Sequence, residues 1–464
     1  MSHTKRLFVF AGAALSLGSA TVALAGESVS RDEVRAIVAE VLADSETRSS
    51  LLQGGGSAGY DKHFFLASVD NNYRLNFSGY AQFRYIADFR DNDAPDDNFD
   101  GGFQSRRVRL EFHGHVVSPE LKFFISGDFQ DSEGSGVASP TNPGIGNQAG
   151  GGFTMKDAFL DYDFAGGFYI KGGQYKLPFL RDELVSDTKQ IAVDRSLVNF
   201  GFTGGRAQGV ELGYRDEAWW FGFSFSDGFN SANTDINSAN ESDYAFTARG
   251  EYAFAGKRDD FAAFTSMQED DFQGLVGVAG HYQGASNTRA PTDEDPEVLV
   301  YTADLTLKGG GFSFFVAAVG TYVTTSDTAV APGRPGLEQN DYALTGQAAY
   351  RFLQDTEAFV RYDGIYLDDD AGAGAARAAL VEENYNFLTF GINQYFAGHA
   401  AKLTIDAVVS LDRGDGATRL SGANILPQGQ GPGVGNSIFG TQSGVRAGSD
   451  DNAIAVRAQF QLMF

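Results

Sequence analysis

The chain contains no cysteine, which excludes a disulfide framework, a thiolate metal site and a cysteine nucleophile. It also lacks any apolar run of about 18 or more residues beyond its amino terminus, which excludes a helical membrane protein. Positive charge is scarce, because 35 Lys and Arg stand against 60 Asp and Glu, for a net charge of −25. Such an acidic chain is a poor partner for nucleic acid.

The first residues have the pattern of a secretory signal. Lys5 and Arg6 precede the apolar segment 7–17, and small residues at 23–25 form a cleavage site. We therefore predict a signal peptide over 1–25, whose apolar part is too short to span a bilayer. Loss of Lys5 and Arg6 changes the net charge from −25 to −27.

A helical pattern follows the signal and occupies roughly residues 30–52. Ser30 and Glu33 have the spacing of a capping box, and an apolar stripe begins at Val34. Two interpretations remain open: a short periplasmic helix packed on a neighbour or frayed, and a short coiled coil between subunits. We assign this helix and a Gly-rich linker to residues 26–58.

From about Tyr73 onward, apolar and polar residues alternate in short runs. The last eleven residues are the clearest case, and the chain stops on an aromatic residue. Period-two alternation predicts strands with one face in lipid and one in water. Abundant Gly, Phe and Tyr (58, 40 and 19) suit tight turns and aromatic girdles. The apolar face of the closing run consists of Ile454, Val456, Ala458, Phe460, Leu462 and Phe464.

Connection lengths determine the number of strands. Long connections alternate with short ones along the chain, as expected when both ends of a barrel lie on the periplasmic side. Segment 256–271 is the exception, and we assign it to a long periplasmic turn. The sequence thus predicts an all-β fold, a 16-stranded antiparallel transmembrane β-barrel over 59–464 with a short N-terminal periplasmic helix. Barrels of this size enclose an aqueous channel. The predicted strands are 73–89, 103–116, 119–130, 153–164, 167–176, 207–215, 218–229, 242–255, 272–284, 297–308, 311–325, 340–353, 356–369, 384–396, 400–412 and 450–464.

The connection 177–206 differs from the other long ones, which are rich in Gly, Asp, Asn and Ser. It carries many apolar residues, including Phe179, Val193 and Phe200, which need a surface to bury against. The inner wall of the barrel is the nearest such surface. We therefore expect this loop to fold into the lumen and narrow the pore.

Several segments resemble the phosphate- and polyphosphate-selective porins of the porin O/P family. They are 78–85, 106–111, 172–179, Asp182-Glu183 and 194–196. The resemblance implies a trimeric, sixteen-stranded outer-membrane channel in which the third loop folds inward. It also implies that basic side chains attract the anions that pass.

Basic residues in two places are therefore candidates for attracting anions. The segment 176–206 has five of them against four acids, and further basic residues lie on the polar faces of early strands. Rings of Arg and Lys make pores anion-selective, and Arg grips phosphate oxygens with two hydrogen bonds. The constriction candidates are Lys176, Arg181, Lys189, Arg195 and Arg206, and the wall candidates are Arg74, Arg84, Arg107, Arg109 and Lys122.

Other functions remain open at this point. A general or cation-preferring diffusion porin would also carry lumenal Arg and Lys, and segment 30–52 would suit an outer-membrane tether. His113 and His115 share a strand face but lack a third metal ligand nearby, and no catalytic set is evident. We expect no enzyme activity, no cofactor and no resident metal. The expected partners are outer-membrane lipid and lipopolysaccharide, two further copies in a homotrimer, and small anions as solutes.

Overall fold

The computed structural model describes residues 56–89, 99–129, 153–236, 241–284, 297–324, 338–366, 368, 384–412 and 453–464. The predicted signal peptide and the helix at 30–52 lie outside the described residues. None of the described helices is long and apolar enough to cross a membrane.

In the described part of the chain, nineteen strands form one continuous antiparallel sheet. They are β1 (Gly56–Asp61), β2 (His63–Ser68), β3 (Arg74–Phe89), β4 (Phe99–His115), β5 (Leu121–Asp128), β6 (Thr154–Asp163), β7 (Phe168–Lys176), β8 (Arg206–Arg215), β9 (Trp219–Ser226), β10 (Tyr244–Ala255), β11 (Gln273–Gly284), β12 (Glu297–Gly309), β13 (Phe312–Thr324), β14 (Glu338–Gln339), β15 (Tyr342–Leu353), β16 (Thr356–Tyr366), β17 (Asn384–Tyr395), β18 (Ala401–Ser410) and β19 (Ile454–Met463).

The sheet closes into a barrel because β19 pairs with β3 from Ile454 opposite Phe89 to Met463 opposite Tyr80. The barrel proper comprises β3–β13 and β15–β19, which confirms the predicted sixteen strands. The two-residue β14 precedes β15 and pairs with the same neighbour, β13. The hairpin β1–β2 was not predicted, and β2 pairs with the first residues of β3.

The alternation of the closing strand separates lipid from lumen as predicted. Phe460 and Leu462 face outward, with 44% and 50% of their surface exposed, whereas Gln459 and Arg457 face inward and are buried. The prediction that the inward face of each strand lies in water is wrong for Arg457. Arg457 does not face open pore water, because Asp406 accepts hydrogen bonds of 2.8 and 2.7 Å from its guanidinium group.

Phe464 completes the seam between the first and last strands of the barrel. The Gly79 amide donates to the Phe464 carbonyl at 3.1 Å, and the Phe464 amide donates to the Gly79 carbonyl at 3.0 Å. A Cβ at Gly79 would lie 2.7 Å from both the Arg109 carbonyl oxygen and the Phe464 ring.

We therefore expect Gly79→Val to lower the free energy of unfolding by about 1–3 kcal/mol through overpacking. Thermal unfolding measures this, with Gly346→Val as the control, because Gly346 faces open space. Equal losses in the two variants would contradict the prediction.

The segment between β10 and β11 is a long turn and not a strand, as predicted. Its short 3-10 helix, Arg258–Phe261, places Phe261 in a buried cluster with Ala253 and Leu275. Phe264 is also buried, and it packs against Phe315 with 4.8 Å between ring centroids. This turn therefore contributes apolar side chains to the interior of the barrel.

Candidate functional site

The connection between β7 and β8 is an ordered loop with two short helices, α1 (Arg181–Leu184) and α2 (Leu197–Phe202). The Ser196 side chain caps α2 by accepting from the Asn199 amide at 2.9 Å. The loop is closed at its base by a hydrogen bond from the Leu177 amide to the Gly205 carbonyl. Within 177–205, all of which is described, only Ser186 is exposed. The loop is therefore buried inside the barrel.

Apolar side chains attach the loop to the far wall. Leu197 and Phe202 of α2 belong to a buried cluster that includes Val319 of β13, Ile365 of β16 and Phe387 of β17. Val185 and Ile191 belong to a second cluster, together with the side chains Ala192, Phe264, Phe315, Ala317, Ala349 and Phe359. Burial of these side chains supplies the energy that holds the loop inside the lumen, as its apolar composition predicted.

Polar contacts attach the loop to strands around the barrel. The amide of Gln461 on β19 donates to the Thr188 carbonyl at 3.1 Å, and Lys402 on β18 donates to the Gln190 carbonyl at 2.8 Å. On the opposite side, Arg249 of β10 donates to the Phe179 carbonyl at 2.7 Å. The loop thus crosses the lumen from one wall of the barrel to the other and narrows it.

Asp194 is the first centre of a buried ion-pair network. It accepts hydrogen bonds from Arg84, from Arg106 at 3.2 Å and from Arg107 at 3.1 Å, and Arg457 lies 3.8 Å away. Arg106 and Arg107 are consecutive in sequence, and the register between β3 and β4 shifts here, so that Arg106 is the extra residue of the β4 strand. The resulting β-bulge allows two successive arginines to reach the same carboxylate.

Asp187, at the tip of the loop, is the second centre. It accepts from Tyr80 and from Arg109, both at 3.0 Å, and it forms an ion pair with Arg195. Arg109 also donates two hydrogen bonds to Asp128, of 2.6 and 2.8 Å. Charge-assisted bonds of this kind are short and directional, so they fix the loop tip against β3 and β4.

Ion pairs join these centres into a single network with a surplus of positive charge. Among the described residues, eight cations meet five carboxylates, which leaves three positive charges in excess. The cations are Arg84, Arg106, Arg107, Arg109, Lys156, Lys176, Arg195 and Arg457, and the carboxylates are Asp128, Glu183, Asp187, Asp194 and Asp406.

The remaining open space of the lumen lies beside β4–β8. On β12, β13 and β15–β19 the inward side chains are buried, whereas several on β4–β8 are partly exposed. The side chains of Arg206, Lys156, Lys171 and Lys176 are 11%, 12%, 16% and 18% exposed. The carboxylate partners of the three lysines are more deeply buried, at 2% for Asp128, 1% for Glu211 and 9% for Glu183, whereas Asp157 is as exposed as its partner Arg206. A solute that passes the loop therefore meets the three ammonium groups before their carboxylates.

Five of the predicted site residues belong to the network, namely Arg84, Arg107, Arg109, Lys176 and Arg195. The other five lie elsewhere in the barrel. Arg206 donates two 3.0 Å hydrogen bonds to Asp157, Arg181 lies 3.3 Å from Glu251, Lys122 pairs with Asp163, and Arg74 lies 3.6 Å from Asp61. Lys189 has no ion pair or side-chain hydrogen bond among the described residues.

Sequence reasoning missed Arg106, Lys156 and Lys171. Arg106 occupies the outward phase of the alternation, and only the bulge in the register reveals that it reaches Asp194. His113, considered above for a metal, lies 5.0 Å from the His63 ring. In the part of the chain that the structure describes, no three or more His, Cys, Asp or Glu side chains could hold a metal together.

Two carboxylates of the loop, Asp187 and Asp194, are held in their ionised form. Burial raises the pKa of Asp194, but the charges of Arg106, Arg84 and Arg107 outweigh burial and leave the pKa below its ordinary value of 3.8. The pKa of Asp187 is also lowered, since the arginine charges around it outweigh the effect of burial.

A lowered carboxyl pKa makes the loop resistant to moderate acid. The stabilisation is complete above the unfolded pKa of 3.8 and is lost as the pH falls through the lower folded value. We therefore expect single-channel conductance to stay constant from pH 7 to about pH 4 and to rise below that, when the loop is released. Recordings across this range test the prediction, and a transition centred above about pH 5 would contradict it.

Comparisons with known proteins agree with this architecture. The family of phosphate-selective porins O and P matches residues 80–312, half of the chain. The outer-membrane channel DcaP of Acinetobacter baumannii is 14% identical, with a TM-score of 0.52 over 84% of this chain and 97% of its own. An anion-selective porin from Comamonas acidovorans is 11% identical, with a TM-score of 0.51 over 84% and 99%. No curated protein matches the chain. The chain therefore belongs to the phosphate-selective porin O and P family, and it is an outer-membrane channel.

Proposed function

We propose that the chain is a passive diffusion channel for small hydrophilic solutes that prefers anions, with phosphate and polyphosphate as the candidate solutes. The observation that carries this proposal is that, among the described residues, the lumenal network contains eight cations and five carboxylates, in a chain whose net charge is −25. Fixed positive charge at a narrow point attracts anions and repels cations.

The partly exposed cations on β4–β8 supply the path for such an anion. Lys156, Lys171 and Lys176 each present an ammonium group that is paired but still in contact with the open lumen. Pairing with a carboxylate weakens the hold of each ammonium group on a passing anion. Weak binding at several successive sites is what conduction requires, because an ion that binds tightly does not leave.

Reversal potentials in a KCl gradient across a planar bilayer test the preference for anions. The expected result is a potential of the sign set by chloride, together with a fall in chloride current when millimolar phosphate is added. A weak potential without phosphate block would instead support a general diffusion porin. A potential of the sign set by potassium would overturn the proposal.

The assembly and the amino-terminal segment complete the proposal. We assign residues 1–25 to a signal peptide, 26–58 to a periplasmic helix and linker, and the remainder to the barrel of a homotrimer in contact with lipopolysaccharide. Deleting 27–56 distinguishes the possible roles of the helix. Loss of the trimer would support a coiled coil between subunits, whereas loss of envelope attachment with intact trimers would support a tether.

A further inference from the structure

Two inward positions on the barrel wall break the polar pattern of the lumen. Phe124 of β5 and Phe159 of β6 face inward, in register with each other and with His113 of β4. Each of these three side chains remains partly exposed. Exposing an apolar ring to lumenal water is unfavourable in free energy, and Ser or Thr would line a water-filled lumen without it.

These rings form a continuous aromatic row. The centroids of His113 and Phe124 lie 5.9 Å apart at an interplanar angle of 26°, and those of Phe124 and Phe159 lie 5.6 Å apart at 15°. Tyr175 of β7 ends the row, edge-on to Phe159 at 6.3 Å. The aromatic row therefore crosses four neighbouring strands on the side of the lumen where the open space lies.

The cation Lys171 lies at one end of the aromatic row. The Lys171 ammonium nitrogen lies 5.6 Å from the centroid of Phe159 and 5.0 Å from that of Tyr175. Its partner Glu211 accepts a hydrogen bond of 3.0 Å but is buried, whereas the Lys171 side chain is 16% exposed. An incoming solute thus meets a flat apolar surface with a positive charge beside it.

We propose that the aromatic row and Lys171 form a binding site for small aromatic carboxylates on the periplasmic side of the loop. The ring of the solute stacks on Phe124 and Phe159, and its carboxylate approaches Lys171. Aromatic pairs favour offset-stacked or edge-on contact at centroid distances of about 4.5–7 Å, and both rings are partly exposed for such contact. The inference extends the proposed function to a second class of anion, and it depends on the barrel being a channel but not on a preference for phosphate.

Benzoate is a suitable probe and acetate its ringless counterpart, with binding to detergent-purified protein followed by NMR titration. We expect benzoate to bind about tenfold more tightly than acetate, because two ring contacts are added. The double variant Phe124→Ser with Phe159→Ser is expected to lose that difference. Lys171→Gln is expected to weaken the binding of both anions.

The matched variant Phe124→Leu with Phe159→Leu keeps apolar volume but removes the aromatic faces, so it should retain part of the difference. If the serine variant does not fold, benzoate binding by this leucine variant tests the inference instead. Equal binding of benzoate and acetate to the native protein, or unchanged benzoate binding in both double variants, would overturn the inference. A reversal potential set by potassium would overturn the phosphate proposal and leave the benzoate result standing, so the two failures are distinguishable.

Discussion

Replacing Asp194 with Asn is expected to release the loop from the wall and raise single-channel conductance. Asp194 accepts hydrogen bonds from Arg84, Arg106 and Arg107, and it lies near Arg457. Without its charge, these four guanidinium groups face one another in a buried place. Removing one partner of a buried ion pair typically costs about 3–5 kcal/mol.

The barrel itself should survive this change, because its backbone ladder and the apolar clusters do not involve Asp194. Planar-bilayer recordings and thermal unfolding of the same preparation measure the two effects. Asp216→Asn is the matched control, since Asp216 accepts hydrogen bonds within its own exposed turn and does not contact the loop. Unchanged conductance in the Asp194 variant would contradict the prediction, and it would show that the apolar clusters and the remaining polar contacts hold the loop in place.

Period-two alternation was sufficient to predict the barrel because lipid imposes the same pattern on every strand. The closing strand shows this, since Phe460 and Leu462 face lipid wherever the neighbouring strands lie. The loop was predictable for a related reason, as a connection with the apolar content of 177–206 cannot remain in water. The alternation of long and short connections likewise predicted that segment 256–271 is not a barrel strand. That turn nevertheless places Phe264 inside the barrel.

The details of the site depend on contacts between residues far apart in sequence. Nothing around Arg106 indicates that a bulge brings its side chain to Asp194, 88 residues away. Likewise, Arg181 and Arg206 counted as available cations in the sequence, but in the fold each meets a carboxylate on another strand. Pairing is a property of the closed barrel, so a count of basic residues overestimates the free positive charge.

Reversing the charge of two partly exposed cations of the network is expected to change the ion selectivity of the channel. The double variant Lys156→Glu with Lys176→Glu changes the network by four charge units, from three positive to one negative among the described residues. At 8 Å in water each unit of charge contributes about 0.5 kcal/mol, and salt at 0.15 M reduces this about threefold. The four units sum to about 0.7 kcal/mol at 0.15 M salt, so anion permeability should fall and cation permeability should rise by about threefold each, which lowers their ratio about tenfold. At low salt the sum is about 2 kcal/mol, and the ratio should fall by about a hundredfold or more.

The matched control is Lys62→Glu with Lys257→Glu, an equal change of charge at two exposed positions outside the network. Its reversal potential should stay close to that of the native channel, because exposed charge at a distance is screened by salt. An equal shift in both double variants would mean that the overall charge of the protein, and not the network, determines selectivity. A shift confined to Lys156 and Lys176 would locate selectivity at the open side of the lumen, because the loop and its arginines are unchanged in that variant.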